Sequence, residues 1–242
     1  MKSSNFNHSG YQYLAQFFAE SELSNLKIIL QQFHTKWLTN YEQDYKNGLV
    51  NSHSITSSLF ITQLERLEIF RFIFQEKLMQ VINACFPAKP LFLNTQLFFN
   101  PFDSDQKNYW HRDGQYNGLS VDQQKESLGK NNIIHFRIPL APELGIELIP
   151  GTHQHWDLQE EFETRLSLNG RKPSDDLPRG KTFPLNTGDL LLFSANMMHR
   201  GLYGKNRFSF DVIFCDDVPG LRESADPKNL PTETELRLLN LH

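Results

Sequence analysis

The spacing of apolar residues predicts helices in the first third of the chain. From Ser21 to Thr39, apolar side chains recur every three or four residues, which places them on one face of a helix. They are Leu23, Leu26, Leu30, Phe33 and Trp37. Ser21 is the expected N-cap, because its hydroxyl can accept a hydrogen bond from the first backbone N–H groups. A second long helix is predicted from about Ser57 to Ala84, with Pro87 and Pro90 ending it.

From Leu91 onward the pattern changes to short apolar runs of strand length, separated by glycine, proline and asparagine. Six strands are predicted: Leu91–Phe99, Asn132–Leu140, Gly145–Ile149, Thr182–Leu185, Asp189–Phe193 and Arg207–Cys215. Many short strands of this kind are typical of closed or double-sheet β folds. The sequence therefore predicts an all-β core with flanking helices, arranged as a jelly-roll barrel.

The pattern fits one domain, since single β-rich domains often reach 242 residues. We expect residues 1–90 to form helical support, residues 91–215 the jelly-roll core, and residues 216–242 a C-terminal tail. Two long irregular segments, Gly114–Lys130 and Trp156–Gly180, interrupt the strands; the first is polar, and the second should contain a short helix. Segments of this length are usually functional or disordered, so each is either a substrate lid or a mobile surface segment.

Composition excludes several classes of protein. The formal net charge is −4, with no basic stripe for nucleic acid. No apolar run approaches the roughly 18 residues of a membrane span, and the polar first ten residues lack the apolar part of a signal peptide. We expect a cytoplasmic protein that acts on a small molecule and binds neither nucleic acid nor membrane. Cys85 and Cys215 are expected to be buried side chains and not a disulfide.

Three residues form a candidate metal site. In an extended segment His111 and Asp113 point to the same side while Arg112 points away, so both can bind one ion. A third ligand must come from elsewhere, and His199 follows the turn and apolar run Gly188–Phe193. Two histidines and one carboxylate leave half of an octahedron open, as in non-haem Fe(II) sites that bind an oxo-acid and O₂.

A second histidine pair, His153-Gln154-His155, could compete for the metal. It lacks a carboxylate in the right pattern, and His153 belongs to a Pro-Gly-Thr-His turn. An isolated His-x-Asp pair is common by chance, so the hypothesis depends on the complete set of three residues. We therefore place the metal at His111, Asp113 and His199.

The stretch from Asn94 to Ser209 resembles the phytanoyl-CoA dioxygenase family of Fe(II)/2-oxoglutarate oxygenases. The matching segments are Tyr109-Trp110-His111-Arg112-Asp113, Gly145-Ile146-Glu147-Leu148-Ile149-Pro150-Gly151-Thr152-His153, and Gly188-Asp189-Leu190-Leu191-Leu192-Phe193 ahead of His199. The second is similar to the family's Ile-Pro-Gly-Ser/Thr-His signature, and Gly10-Tyr11 before a helix is similar to its opening. The resemblance implies a cupin-like double-stranded β-helix in which His111, Asp113 and His199 hold Fe(II).

The resemblance also implies a site for 2-oxoglutarate. Arg207-Phe208-Ser209 matches the Arg-x-Ser pattern that other 2-oxoglutarate oxygenases use for the distal carboxylate, and in a strand both side chains face the same way. The family usually places this arginine farther beyond the last histidine, so the connection from His199 to Arg207 is short. Arg200 is therefore a rival for the same role. We expect Arg200 to be a loop or surface residue. Gln96 could hydrogen-bond 2-oxoglutarate or substrate, or it could simply face outward.

Together these features predict an Fe(II)- and 2-oxoglutarate-dependent dioxygenase that uses O₂ to hydroxylate a small organic substrate. Related halogenases replace the carboxylate ligand with a small residue, whereas Asp113 occupies that position here, so hydroxylation is expected. The alternative is a non-oxygenase metal-binding cupin-like protein, such as an isomerase or a ligand-binding protein. Such a protein has no reason to carry the Arg-x-Ser pattern.

Two residues bear on the substrate class. His135 and Arg137 alternate with apolar neighbours and so share one face of a strand. If that face lines the barrel, Arg137 needs an anionic or strongly polar partner, which favours a polar or anionic substrate. If it faces outward, Arg137 is expected to pair with a surface acid such as Glu143 or Glu147.

Overall fold

The computed structural model describes residues 4–116 and 118–241. Its strands are β1 (Tyr11–Leu14), β2 (Asn51–His53), β3 (Leu91–Phe99), β4 (Ile133–Pro139), β5 (Glu143–Leu148), β6 (Lys181–Leu185), β7 (Leu190–Ser194), β8 (His199–Gly201) and β9 (Phe208–Cys215). Its α-helices are α1 (Ser4–Ser9), α2 (Glu20–Asn40), α3 (Glu42–Lys46), α4 (Gln63–Ile73), α5 (Glu76–Cys85), α6 (Val121–Ser127), α7 (Gln159–Arg165), α8 (Pro219–Ser224) and α9 (Glu233–Leu238). Single 3₁₀ turns cover Ile55–Ser57, Asp113–Gln115 and Pro227–Asn229.

The strands form two antiparallel sheets. The larger sheet has the order β1-β7-β4-β9-β3-β2, and the smaller has the order β6-β5-β8. The six predicted strands are all found, with bounds shifted by no more than two residues. Strands β1, β2 and β8 were not predicted, because three or four residues are too few for a readable alternation. Since β1 and β2 precede Leu91, the larger sheet includes part of the segment expected to be helical support.

The helix predictions need two corrections. Helix α2 begins at Glu20, and its N-cap is Ala19, whose N–H donates to the Glu22 carboxylate at 2.7 Å, so Ser21 lies inside the helix. The prediction of a second long helix is wrong. The segment contains α4 and α5, separated by an extended residue at Gln75. Both helices bury apolar side chains in the same core, which is why the apolar spacing continues across the break.

Alternation along the strands of the larger sheet separates two interiors. Phe136 of β4 and Phe210 and Phe214 of β9 pack against the helices, in a core that includes Leu30 and Phe70. The intervening residues of the same strands point toward the smaller sheet. A second core between the sheets contains Ile146, Leu148, Phe183, Leu191, Phe193 and Met197. The polar residues of β4 and β9 therefore lie between the two sheets.

The two long segments between the strands and the two cysteines match part of what the sequence predicts. Gly114–Lys130 contains helix α6, and Trp156–Gly180 contains helix α7, the short helix predicted there. Cys85 and Cys215 are buried and not bonded to each other. None of the helices in the described part of the chain is long and apolar enough to cross a membrane.

Candidate metal centre and adjoining cavity

His111 and His199 face each other as an antiparallel pair, and each backbone N–H donates to the other residue's carbonyl at 2.9 Å. Asp113 begins the 3₁₀ turn that follows, and its Oδ1 lies 3.7 Å from Nε2 of His111 and 3.5 Å from Nε2 of His199. All three donor atoms lie within 4.8 Å of one another, as ligands about 2.0 to 2.3 Å from one ion must. Among residues 4–116 and 118–241 no other such group occurs, so His153 and His155 do not form one.

Backbone carbonyls orient both imidazole rings. Nδ1 of His111 lies 3.1 Å from the Tyr109 carbonyl, and Nδ1 of His199 lies 2.9 Å from the Met197 carbonyl. Because a carbonyl only accepts, each Nδ1 carries the proton and each Nε2 keeps a lone pair. Burial lowers the pKa of His199 to about 3 and also lowers that of His111. Both rings are therefore neutral near pH 7, as metal ligands must be.

A chain of buried polar residues lies behind Asp113. Nε2 of His135 lies 2.9 Å from Oδ2 of Asp113, and its Nδ1 lies 3.1 Å from Oδ2 of Asp211. Burial alone would raise the pKa of Asp113, but the His135 hydrogen bond and the neighbouring histidines hold it well below its usual range. Burial also opposes the charge of His135, yet the hydrogen bonds to both carboxylates raise its pKa to about 9.

Arg137 lies on the same interior face and is only 2% exposed, so the expected surface pairing does not occur. Its Nε and Nη2 donate to Oδ1 and Oδ2 of Asp211 at 2.8 and 2.9 Å. Of its nitrogen atoms, only Nη1 is buried without a hydrogen-bond partner in the described structure. Asp211 was not predicted from the sequence as a site residue. It follows Arg207 and Ser209 at the two-residue spacing of side chains on one strand face.

Arg112 points away from the metal ligands, as expected, and its side chain is buried. Its Nε donates to Oδ1 of Asp157 at 2.8 Å, and its Nη1 donates to the Thr152 carbonyl at 2.6 Å. Asp157 also accepts from Nε of Arg165 at 2.6 Å. Arg112 therefore ties the His111–Asp113 segment to the start of the Trp156–Gly180 segment.

Arg207 and Ser209 are both buried, at 4% and 0% exposure. The guanidinium of Arg207 lies over the Phe98 and Tyr203 rings and makes one long hydrogen bond, from Nη1 to the Phe99 carbonyl at 3.4 Å, while its Nε has no hydrogen-bond partner among the described residues. Oγ of Ser209 likewise forms no hydrogen bond of normal geometry among the described residues, and it lies close to the Glu143 carboxylate. Gly201 lies against this guanidinium, since a Cβ there would come within 2.3 Å of Nη2 of Arg207. Both side chains thus have buried donors that are not fully used, and Arg207 lines one cavity with the metal ligands.

Arg200 is neither a loop nor a surface residue, contrary to expectation. It lies in β8 and is 5% exposed, on the face opposite His199. Its Nε donates to Glu147 at 2.7 Å and its Nη2 to Asp176 at 2.7 Å, and its guanidinium lies 4.6 Å from the Trp110 ring. Glu147 is therefore Arg200's partner and not Arg137's. With its donors already used, Arg200 is poorly suited to bind a ligand.

A cavity of about 1000 Å³ joins these groups, and its lining includes the metal ligands, Arg137 and Arg207. Gln96 also lines it, and its Nε2 lies 2.8 Å from Nδ1 of His53 on the neighbouring strand. The rings of Tyr109 and Tyr116 lie 5.2 and 5.4 Å from the His111 ring. His53 and Tyr116 were not identified from the sequence, because they come from separate segments without a shared motif, and Tyr109 was noted only as part of the segment that leads to His111.

No protein-family model matches the chain, and no curated protein sequence matches it. Solved structures do match its fold. The crystal structure of AviO1 from Streptomyces viridochromogenes Tue57 has a TM-score of 0.58 at 17% identity, covering 94% of each chain. EctD from S. alaskensis, with 2-oxoglutarate and 5-hydroxyectoine, has a TM-score of 0.60 at 15% identity, covering 87% of this chain and 72% of EctD.

A third similar structure is SnoN, a non-heme alpha ketoglutarate dependent epimerase from nogalamycin biosynthesis. Its TM-score is 0.54 at 13% identity, covering 96% of this chain and 90% of SnoN. At these identities the similarity concerns the fold, and it spans proteins with different reaction outcomes. This protein therefore has a fold that non-haem 2-oxoglutarate enzymes use, with a His-Asp-His set in its cavity.

Proposed function

We propose that this protein is an Fe(II)- and 2-oxoglutarate-dependent dioxygenase with a jelly-roll core, which hydroxylates a small polar or anionic substrate. The main support is that His111, Asp113 and His199 share one cavity with Arg207, whose Nε is buried without a partner among the described residues. Leaving a buried donor unpaired costs about 1 to 3 kcal/mol, so a site of this kind implies a ligand that accepts from it. A metal site that only grips a ligand or isomerises it has no need of this donor.

Each residue then has a defined task. Nε2 of His111, Nε2 of His199 and Oδ1 of Asp113 would hold Fe(II), as a set of two histidines and one carboxylate does in non-haem iron sites. Bound Fe(II) supports the oxidative decarboxylation of 2-oxoglutarate by O₂, which yields succinate and CO₂ and drives hydroxylation of a C–H bond. Arg207 and Ser209 donate to the distal carboxylate of 2-oxoglutarate, and their burial strengthens both hydrogen bonds.

The substrate proposal rests on the cavity lining. Gln96 and His53 form a polar wall, and Gln96 can donate or accept toward the substrate or 2-oxoglutarate. His135 and Arg137 have most of their N–H groups taken by Asp113 and Asp211, so their contact with substrate is through Nη1 of Arg137. Hydroxylation is proposed over halogenation because Asp113 supplies the third protein ligand.

The test is a titration of Fe(II) and 2-oxoglutarate without O₂, followed by exposure to O₂. We expect a visible charge-transfer absorption when 2-oxoglutarate chelates the metal, and succinate once O₂ is admitted. His199→Gln should abolish both signals, whereas His155→Gln, at an exposed histidine, should change neither. A panel of metabolites scored by 2-oxoglutarate turnover would then identify the substrate. Metal binding without 2-oxoglutarate binding or succinate would instead favour a non-oxygenase metal protein.

A further inference from the structure

Glu143 is an acid in an unusual place. It begins β5, and from the alternation of that strand it should share the outward face of Glu147. A β-bulge between Glu143 and Ile146 changes this, because the extra residue reverses the direction of the side chains that precede it. Gly145 makes the bulge possible, since its φ is +88° and a Cβ there would meet the Phe183 carbonyl oxygen. The result is that Leu144 is exposed while both carboxylate oxygens of Glu143 are buried.

No hydrogen bond of normal geometry reaches the carboxylate of Glu143 among the described residues, and the Ser209 hydroxyl is the group close enough to form one. The charged and polar groups around it are Arg207 just before β9, Ser209 and Asp211 on β9, and Arg137 on β4. Burial raises the pKa of Glu143, and the attraction of Arg207 and Arg137 offsets this only in part. Asp211 is different. Burial opposes its charge too, but Arg137 and His135 hold its pKa below the usual range, so it stays ionised.

Arg207 and Arg137 line the cavity, and together with the neighbouring Ser209 and Glu143 they have buried polar atoms without a hydrogen bond of normal geometry. Three of the atoms are donors, namely Nε of Arg207, Oγ of Ser209 and Nη1 of Arg137, while the carboxylate of Glu143 can only accept when ionised. A ligand carboxylate would suit the donors but would meet a second carboxylate in Glu143. Two carboxylates that share a buried site are not both ionised, because one pKa is strongly raised.

We propose that Glu143 takes up one proton from solvent when the distal carboxylate of 2-oxoglutarate binds at Arg207 and Ser209, so that cosubstrate affinity falls as pH rises. This inference rests on the proposed function. In the protonated form the Glu143 hydroxyl becomes a donor to the ligand carboxylate, and repulsion is replaced by a hydrogen bond. While Glu143 is ionised in the ligand-free protein and protonated in the complex, the Kd for 2-oxoglutarate should rise about tenfold per pH unit.

The experiment uses calorimetric titration of the Mn(II)-loaded protein with 2-oxoglutarate, across about pH 6 to 8. Buffers with different ionisation enthalpies report the number of protons taken up on binding. We expect uptake approaching one proton and a Kd that rises with pH. Glu143→Gln should bind without this proton uptake and more tightly than the natural protein at the upper pH. Glu20→Gln, at an exposed glutamate, is the matched control and should keep the natural pH dependence.

The outcomes separate the two proposals. Binding of 2-oxoglutarate with no proton uptake, or a Glu143→Gln variant with the natural pH dependence, would overturn the role of Glu143 alone. Absence of 2-oxoglutarate binding to the metal-loaded natural protein at every pH would overturn the proposed function and the proton coupling with it. The number of protons taken up on binding is measured on the natural protein. It therefore tests the role of Glu143 even if the Glu143→Gln variant does not fold.

Discussion

Nε2 of His135 donates to Oδ2 of Asp113 over 2.9 Å, and this contact determines which oxygen of the carboxylate faces the metal site. The other oxygen, Oδ1, then points toward the Nε2 atoms of His111 and His199 at 3.7 and 3.5 Å. Asp211 holds the opposite side of the His135 ring. His135 is thus a positioning residue that presents Asp113 as a ligand through one oxygen.

Replacing His135 should weaken metal binding. His135→Leu removes the donor to Oδ2, so Asp113 can rotate, and we expect metal affinity to fall about 10- to 100-fold. His135→Gln, which keeps an N–H donor, should recover part of the loss. Competition between the protein and a chelator for Co(II) measures the affinity, with His155→Leu as the control. Natural metal affinity in a folded His135→Leu protein would contradict this role.

Arg207 and Arg200 can be distinguished as anchors of 2-oxoglutarate. Arg207→Ala should weaken cosubstrate binding by about 2 to 4 kcal/mol, or roughly 30- to 1000-fold, because charge-assisted hydrogen bonds in a buried site are lost. Arg200→Ala leaves Glu147 unpaired and should instead lower the free energy of unfolding by about 3 to 5 kcal/mol. Titration with 2-oxoglutarate and urea unfolding of both variants test this. The assignment passes to Arg200 if only Arg200→Ala loses cosubstrate affinity.

Gly201 leaves the space that the Arg207 guanidinium needs. A Cβ at Gly201 would lie 2.3 Å from Nη2 of Arg207, and Gly201 is not among the glycines with positive φ, so alanine causes no backbone strain. Gly201→Ala should therefore weaken 2-oxoglutarate binding about tenfold or more, while metal affinity stays unchanged. Gly220→Ala is the control, since nothing lies within 4 Å of a Cβ there. Equal cosubstrate affinity in the two variants would refute this.

His34 should make the protein less stable in acid. Its ring lies 4.4 Å from the Phe99 ring, its Nδ1 is buried without a partner among the described residues, and burial lowers its pKa to about 4. Below about pH 6.5 the unfolded chain binds a proton at this histidine that the folded protein does not. The free energy of unfolding should therefore fall by up to about 1.4 kcal/mol per pH unit until the pH passes the folded pKa.

Urea unfolding of the metal-free protein between about pH 4 and 7 measures this effect. His34→Gln cannot gain the charge, so its unfolding free energy should depend less on pH than that of the natural protein. His199 and His111 also have lowered pKa values, and they contribute in the same direction in both proteins. The relevant quantity is thus the difference between the two slopes, and equal slopes would rule out a role for His34.

The sequence by itself determined the features that depend on local spacing. The three- and four-residue spacing in α2 and the alternation in β4 and β9 follow from the geometry of one helix or one strand, so they can be read without the fold. The His111-Arg112-Asp113 segment and the Arg207-Phe208-Ser209 segment are equally local. Their chemistry could be named in advance, because residues two apart in an extended segment share a side.

Only the tertiary structure decided which partners these residues meet. Asp211 reaches His135 and Arg137 because β9 lies beside β4, and Glu147 reaches Arg200 because β5 lies beside β8. Neither neighbour is close in the sequence. The position of Glu143 depends on a bulge that is stabilised by pairing with β6. Strand order and bulges arise from contacts between distant segments, so they cannot be predicted from the local spacing of apolar residues.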